Sequence, residues 1–350
     1  MISHEEVLIY GANGYSAQLI VEELINRGIK PALAGRNSDK LKPVAKKFNC
    51  NYKAFDLNNI DTIRREIREF KVVLNCAGPF TYTAEKIIKA CISEKVHYLD
   101  ITGEIPVIEF AWTQKEAAQK AGICIIPSIG FDVIPTDCLS VITAREVKDP
   151  CSLEILLQNE KVKISRGTLI TTIEMMTKLG KIRREGKIID SPIGEKVFVK
   201  SIGDKKYYGI SIPWGDVVSA YYSTGIENIT VYLGVNHFIF CVRKFLLLLL
   251  KILRPKFVKN TVIQLIKLFV IGPNEEKRSK VKSYILTTVS NRSESKTDIT
   301  RVMEGYTLTK IGAAAAVENV LVGTDKKGIL TPAMAFGEDF VNQFIIEKIF

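Results

Sequence analysis

Gly11, Gly14 and Ala17 stand at three-residue intervals in the stretch VLIYGANGYSA, residues 7–17, and a small residue at each place does a distinct job. The first permits a sharp turn, the second lets backbone approach a pyrophosphate, and the third allows a helix to pack closely on a strand. A helix that begins there offers its N-terminus to phosphate. At the end of the next strand come Gly35, Arg36 and Asn37. An Asp or Glu there would bond a ribose 2′-hydroxyl, whereas the Arg36 guanidinium suits a 2′-phosphate and selects NADP(H). Arg36 also has a plainer reading, as a residue beside a helix start that Asn37 or Ser38 caps.

These residues need a strand before them and a helix after them, and the flanking sequence supplies both. Residues 7–10 are almost wholly apolar and read as a strand buried on both faces of a parallel sheet. Apolar positions then recur at helical spacing as far as Arg27-Gly28, a basic last turn followed by a glycine stop. A second strand over 30–34 completes the roughly 30-residue βαβ unit that the motif requires. The alternation continues with helices expected over 39–48, 60–70, 84–93 and 107–121 and strands over 51–55, 71–76, 96–100 and 123–127. The fold class is therefore α/β, a Rossmann doubly wound parallel sheet followed by a second, mixed α/β substrate domain. Asp56 ends the third strand, where such folds contact adenine or simply place a solvated turn aspartate. Ala77, Gly78 and Pro79 end the fourth, where small residues let backbone lie against a cofactor and where a Gly-Pro turn would look the same.

A chain of 350 residues, 47% hydrophobic and 25% charged, is long enough for two domains with sizeable cores. Its net charge of +11 is unevenly spread: residues 1–140 hold 17 Lys+Arg against 17 Asp+Glu, leaving 32 against 21 for the remainder. A basic second part suggests an anionic partner, and no nucleic-acid motif accompanies it. Seven cysteines, odd in number and without CxxC pairing, indicate neither a zinc site nor a disulfide framework. His4, His97 and His237 show no metal-ligand spacing. The acidic opening MISHEEVLIY lacks an export signal, so the expectation is a cytoplasmic protein, peripheral to membranes if its basic part finds one.

The runs GANGYSA, AGR, NCAGPF, HYLDITGE and GFDVIPTD, followed by SRGT, IPWGD, YYSTG, GYTLT and TPAMAFGED, resemble the saccharopine dehydrogenase-like oxidoreductases over nearly the whole chain. That group includes the trans-acting enoyl reductases of mycobacterial lipid synthesis. The resemblance implies an NADP-binding domain over 1–135, to which 311–350 returns, and a substrate domain over 136–310. Cofactor contacts carry over to Gly11, Gly14, Ala17, Arg36, Ala77, Gly78 and Pro79, and Asn13, Tyr15 and Asp56 complete the cofactor-binding set. It implies hydride transfer to an activated C=C of a lipid or acyl substrate, with Asp132 and Asp100 as candidate catalytic acids and Glu104 and Asp137 behind them. A structural role for such carboxylates, bonding loop amides, fits the sequence equally. Where true saccharopine dehydrogenases resemble Gly-Leu-Asp-Pro-Gly, this chain has GFDVIPTD, which speaks against lysine-pathway chemistry.

Three functions follow, in order: an NADPH-dependent oxidoreductase of lipids or acyl groups, such as an enoyl reductase; a non-catalytic NADP(H)-binding scaffold at membranes or lipid bodies; and an amino-acid oxidoreductase of the saccharopine dehydrogenase type. Two Tyr-xxx-Lys spacings, Tyr82/Lys86 and Tyr306/Lys310, stand in the wrong places for a short-chain reductase pair. In the second domain, strands are expected over 154–157, 196–201 and 229–233, with Trp214, Tyr221 and Tyr222 lining the sheet. Ser165-Arg166-Gly167-Thr168 reads as an anion site or as a helix cap ahead of a helix to Leu179. Residues 237–272 carry seven Lys or Arg and no acid among long apolar runs. They read as two amphipathic helices hinged at Pro255, too short and too charged to span a bilayer. Two settings fit them: the interface of an anionic membrane, or a hairpin packed on the protein or on a homodimer partner.

Overall fold

Val7–Tyr10 (β1) is buried along its whole length, as an apolar tetrapeptide must be when both faces of a parallel sheet are covered. In the computed structural model, which describes residues 6–160, 165–176, 179–250, 255–269, 276, 278 and 280–350, the chain divides into two compact units. The first comprises Met1–Ile134 and Gly305–Phe340, the second Pro135–Glu304 and Val341–Phe350.

From β1 the first unit alternates through α1 (Tyr15–Asn26), β2 (Ala32–Gly35), α2 (Ser38–Phe48), β3 (Tyr52–Ala54), α3 (Ile60–Ile67), β4 (Val72–Asn75), α4 (Ala84–Glu94), β5 (His97–Asp100), α5 (Ile105–Thr113), α6 (Lys115–Ala121) and β6 (Cys124–Ile126). All pairings are parallel, in the order β6-β5-β4-β1-β2-β3. The strand order reverses between β1 and β4, the switch point outside which such sheets hold ligands. Side-chain caps set the helix starts on the β2–β3 edge: Asn37 accepts from Lys40 N at 3.1 Å, and Asn59 accepts from Asp61 N and Thr62 N. The single helix expected over 107–121 is two. Thr113 Oγ1 donates to Phe110 O at 2.6 Å, and Gln114 leaves helical geometry at φ −94°, ψ 6°.

The second unit contains α7 (Ile134–Ala144), β7 (Ser152–Glu160), α8 (Arg166–Met176), β8 (Lys181–Arg184), β9 (Lys187–Asp190), β10 (Val197–Ile202), β11 (Lys205–Ser211), α9 (Asp216–Thr224), β12 (Asn228–Val235), α10 (His237–Leu250), α11 (Lys256–Phe269), β13 (Lys282–Ser290) and β14 (Ser295–Val302). The chain ends with α12 (Gly305–Val322), β15 (Gly328–Ile329), α13 (Pro332–Phe336) and β16 (Ile345–Lys348). Among the described residues only β12 and β7 pair in parallel in its mixed sheet, ordered β10-β11-β12-β7-β13-β14-β16, with β8 and β9 to the side of β12. Leu156, Phe198, Tyr207, Tyr232, Leu286 and Ile299 form the core on one face of this sheet.

The C-terminal return to the first unit spans 305–340 rather than 311–350. β15 adds a seventh strand beside β6, whereas β16 pairs antiparallel with β14 and takes the last ten residues to the second unit. The two helices expected within 237–272 are α10 and α11. Residues 251–254 and 270–272 lie outside the described residues, as do 177–178 at the end of the helix expected to reach Leu179. No helix among the described residues is long and apolar enough to cross a membrane.

Candidate functional site

The carboxyl ends of β1, β2, β4, β5 and β6 hold one connected set of loops. Gly11 leaves β1 at φ +85°, a region open to glycine, and its N–H donates to Ala34 O at 2.8 Å. A Cβ there would stand 2.7 Å from Ala77 N, so the loops after β1 and β4 touch backbone to backbone. Gly14 is the N-cap of α1, in extended geometry and with no side-chain cap, which leaves the first turn of the helix open to an anion. Ala17 is buried beneath it, Asn13 is exposed, and the half-buried Tyr15 meets the Tyr306 ring edge-on with centroids 5.0 Å apart.

Arg36 follows β2 and is exposed, with no ion pair among the described residues. The capping role belongs to its neighbour Asn37, so the guanidinium is not needed for the start of α2. Asp56 is exposed after β3, its Oδ1 accepting from Asn58 N at 2.8 Å. Tyr10, whose hydroxyl donates to Phe55 O at 3.1 Å, feels both charges: burial pushes it up to about 12, Asp56 adding to the rise and Arg36 opposing it.

The loop after β4 is fixed from below. Asn75 Oδ1 accepts from Ala77 N at 3.0 Å, and its amide donates to Thr83 Oγ1 at 3.1 Å and to the Tyr98 hydroxyl at 3.2 Å. Tyr98 donates to Asp100 Oδ2 at 2.8 Å, and Asp100 Oδ1 accepts from Thr102 N at 3.0 Å and Ser128 N at 2.8 Å. Burial pushes Asp100 up to about 6 against the pull of those amides. Asp100 is fully buried, with both oxygens engaged, the arrangement expected of a carboxylate that bonds loop amides. Glu104 does similar work, accepting from Phe80 N at 2.8 Å, from Thr81 N at 2.9 Å and from the Thr81 hydroxyl, which holds the turn behind Gly78 and Pro79.

Asp132 differs from both. It is half-buried, and burial raises it to about 7. It packs on Gly103, where a Cβ would lie 2.6 Å from its Oδ2. The neighbouring backbone is held by the returning segment, through Phe131 N donating to Thr309 Oγ1 at 3.0 Å. Asp137 lies in the second unit, accepting from Ser223 Oγ at 2.5 Å.

Tyr306 and Thr309 were legible only as part of the run GYTLT, and no local signal brings Tyr306 to Tyr15 of α1 or Thr309 to Phe131, 178 positions away. Lys310 is 3.9 Å from Glu23, and Arg27 bridges Glu23 and Glu318 at 3.0 and 2.8 Å, so α12 is tied to α1 by charge as well as by packing. In the second unit Ser165 Oγ accepts from Thr168 N at 3.3 Å, the geometry of a helix cap. Tyr221 lies on α9 under the Arg183 guanidinium at 4.0 Å.

Residues 7–126 match the family model described as the saccharopine dehydrogenase NADP binding domain. Residues 7–126 of the first unit are similar to that NADP-binding domain. Its cofactor is NADP(H), and the glycine loop, the uncapped start of α1 and Arg36 fit that group. The chain is 32% identical over 159 residues to a bovine (Bos taurus) saccharopine dehydrogenase-like oxidoreductase, covering 40% of this chain and 37% of that one. It is 31% identical to a trans-acting enoyl reductase of Mycobacterium bovis over 49% of this chain and 44% of the relative. It is 24% identical to a lipid droplet localized protein of Caenorhabditis elegans over 61% of this chain and 57% of that one. The bovine match thus spans little more than a third of that relative's length. Among solved structures, yeast (Saccharomyces cerevisiae) saccharopine dehydrogenase (L-Glu forming) matches 99% of this chain and 100% of its own with a TM-score of 0.62 at 14% identity, a likeness of fold.

Proposed function

We propose that this protein is an NADPH-dependent oxidoreductase that reduces a lipid or acyl substrate, with an activated C=C as the reacting bond. NADPH, when bound, supplies the hydride. The chain's own residues do the rest: the glycine loop and α1 hold the pyrophosphate, Arg36 holds the 2′-phosphate, and the Asn75–Tyr98–Asp100 network fixes the backbone at Ala77 and Gly78. Asp132 is the proton donor for the carbon adjacent to the reduced one. The observation that carries this assignment is its place at the end of the sheet, half-buried against Gly103 and raised to about 7, so that a substantial protonated fraction persists near neutrality.

The acyl or lipid class is supported by the enoyl reductase and lipid droplet relatives, each over about half of the chain or somewhat more. NADPH oxidation measured against a panel of enoyl and acyl substrates, with Asp132→Asn alongside, tests the reading. Turnover that falls by about a hundredfold or more in the variant, with NADPH affinity retained, is the expected result. NADPH binding without consumption by any substrate in the panel would favour a cofactor-sensing scaffold instead.

A further inference from the structure

In the second unit α10 is capped by Asn236, whose Oδ1 accepts from Ile239 N at 2.8 Å, and one side of the helix is already packed. Phe240 lies 5.0 Å from the Tyr208 ring, Tyr208 stacks on His237 at 5.1 Å, and Leu247 fills the space over Gly194, where a Cβ would come within 2.6 Å of it. The side next to it is apolar and open. Phe238 is 73% exposed, Phe245 62% and Leu248 56%, and at about 100° per residue these three positions share roughly 80° of arc. The next helix repeats the pattern: α11 buries Ile263 and Ile266 while Phe257 stays 75% exposed and Leu265 49%. Single exposed apolar residues are ordinary, but three large ones within one narrow arc of α10 make a patch that calls for a partner.

The charge around the patch says which partner. Lys244 is exposed beside the stripe, and the Lys206 ammonium sits 5.7 Å over Tyr208, the ring against which the start of α10 packs. Across 237–272 the sequence has seven Lys or Arg and no Asp or Glu. A second copy docking through the same face would set these lysines against one another, since a twofold interface pairs a patch with itself. A lipid surface with anionic headgroups instead takes the apolar side chains into its acyl region and the lysines at its headgroups. We propose that the open face of α10 docks this protein on anionic lipid surfaces. The surface belongs to the second unit.

The test is co-sedimentation of the full chain with vesicles of phosphatidylcholine alone or mixed with phosphatidylglycerol, at low and high salt. Wild type should sediment with the mixed vesicles at low salt and be released by high salt. Phe238→Ser with Phe245→Ser and Leu248→Ser should weaken partition by more than about tenfold with an unchanged melting curve. Lys206→Gln with Lys244→Gln should weaken it several-fold and flatten the salt dependence. Should the triple variant not fold, Phe245→Trp keeps the apolar volume, and its fluorescence should be quenched by vesicles with brominated acyl chains. Failure of folded wild type to bind the mixed vesicles, or an unquenched tryptophan in their presence, would overturn the proposal. So would a wild-type dimer that the serine variants split.

Discussion

A Cβ on Gly103 would stand 2.6 Å from Asp132 Oδ2, closer than real side-chain carbons come. The glycine cannot easily retreat, because Thr102 N is bonded to Asp100 and Glu104 N to Thr102 Oγ1 on either side of it. The carboxylate is the softer partner. Gly103→Ala should therefore turn Asp132 away from its present rotamer rather than unfold the domain. The expected outcome is a melting temperature close to wild type, NADPH affinity retained, and turnover lowered toward that of Asp132→Asn, on the order of a hundredfold. A Gly103→Ala enzyme with full turnover would show that the position of this carboxylate does not matter.

The two raised carboxylates also tie stability to pH. Asp100, at about 6, and Asp132, at about 7, lie above the value of about 4 that an unfolded chain gives them. Between those limits the folded state binds more protons than the unfolded one. Their contribution is therefore fully present below about pH 4 and is lost as pH rises through 6 to 7. Asp132→Asn removes one of the two groups. The fall in melting temperature between pH 5 and 8 should be shallower in that variant, and identical slopes would mean that Asp132 titrates as an ordinary surface acid.

The cofactor choice proposed above rests on Arg36. With Asn37 capping α2, the arginine is not needed to start the helix, and Arg36→Ala should leave stability nearly unchanged. NADPH binding should weaken by roughly tenfold or more, the loss of about 1.5 kcal/mol of charge-assisted hydrogen bonding, while NADH binding stays as it was. Fluorescence titration of both cofactors decides the matter, since equal losses for the two would remove the 2′-phosphate from this residue.

The first unit was legible in sequence because its signals are local. Strand, glycine turn and helix follow one another within β1–α1–β2, and parallel strands buried on both faces read as short apolar runs. The roles of Asp100 and Glu104 were not legible, because an acid at a strand end looks the same whether it meets substrate or amides across a turn. Tyr306 and Thr309 reach their places only through the long return of the chain. In the second unit β13 and β14 escaped notice because Thr287, Thr288, Thr297 and Thr300 interrupt the apolar alternation by which a half-buried strand is recognised, although all four are buried. The helices of 237–272 were readable from composition, but not which of their apolar residues stay exposed, since that depends on what Phe240 and Leu247 pack against.

The two glycines of the cofactor loop should fail in different ways. Gly11 combines φ +85° with a Cβ position 2.7 Å from Ala77 N and 2.8 Å from Ala77 Cα, and both obstacles are backbone. Gly11→Ala thus meets the left-handed penalty of about 1–2 kcal/mol and must also push the β1 and β4 loops apart, so it should lower the melting temperature clearly even without cofactor. Gly14 has φ −69°, open to any residue, and its Cβ would press only on Gly11 O at 3.2 Å. Gly14→Val should fold with a modest loss of stability, yet its branched side chain would occupy the approach to the uncapped start of α1 and abolish binding of NADPH and NADH alike. Melting curves taken with and without NADPH separate the two defects. Wild-type cofactor affinity in Gly14→Val would take the pyrophosphate away from this helix.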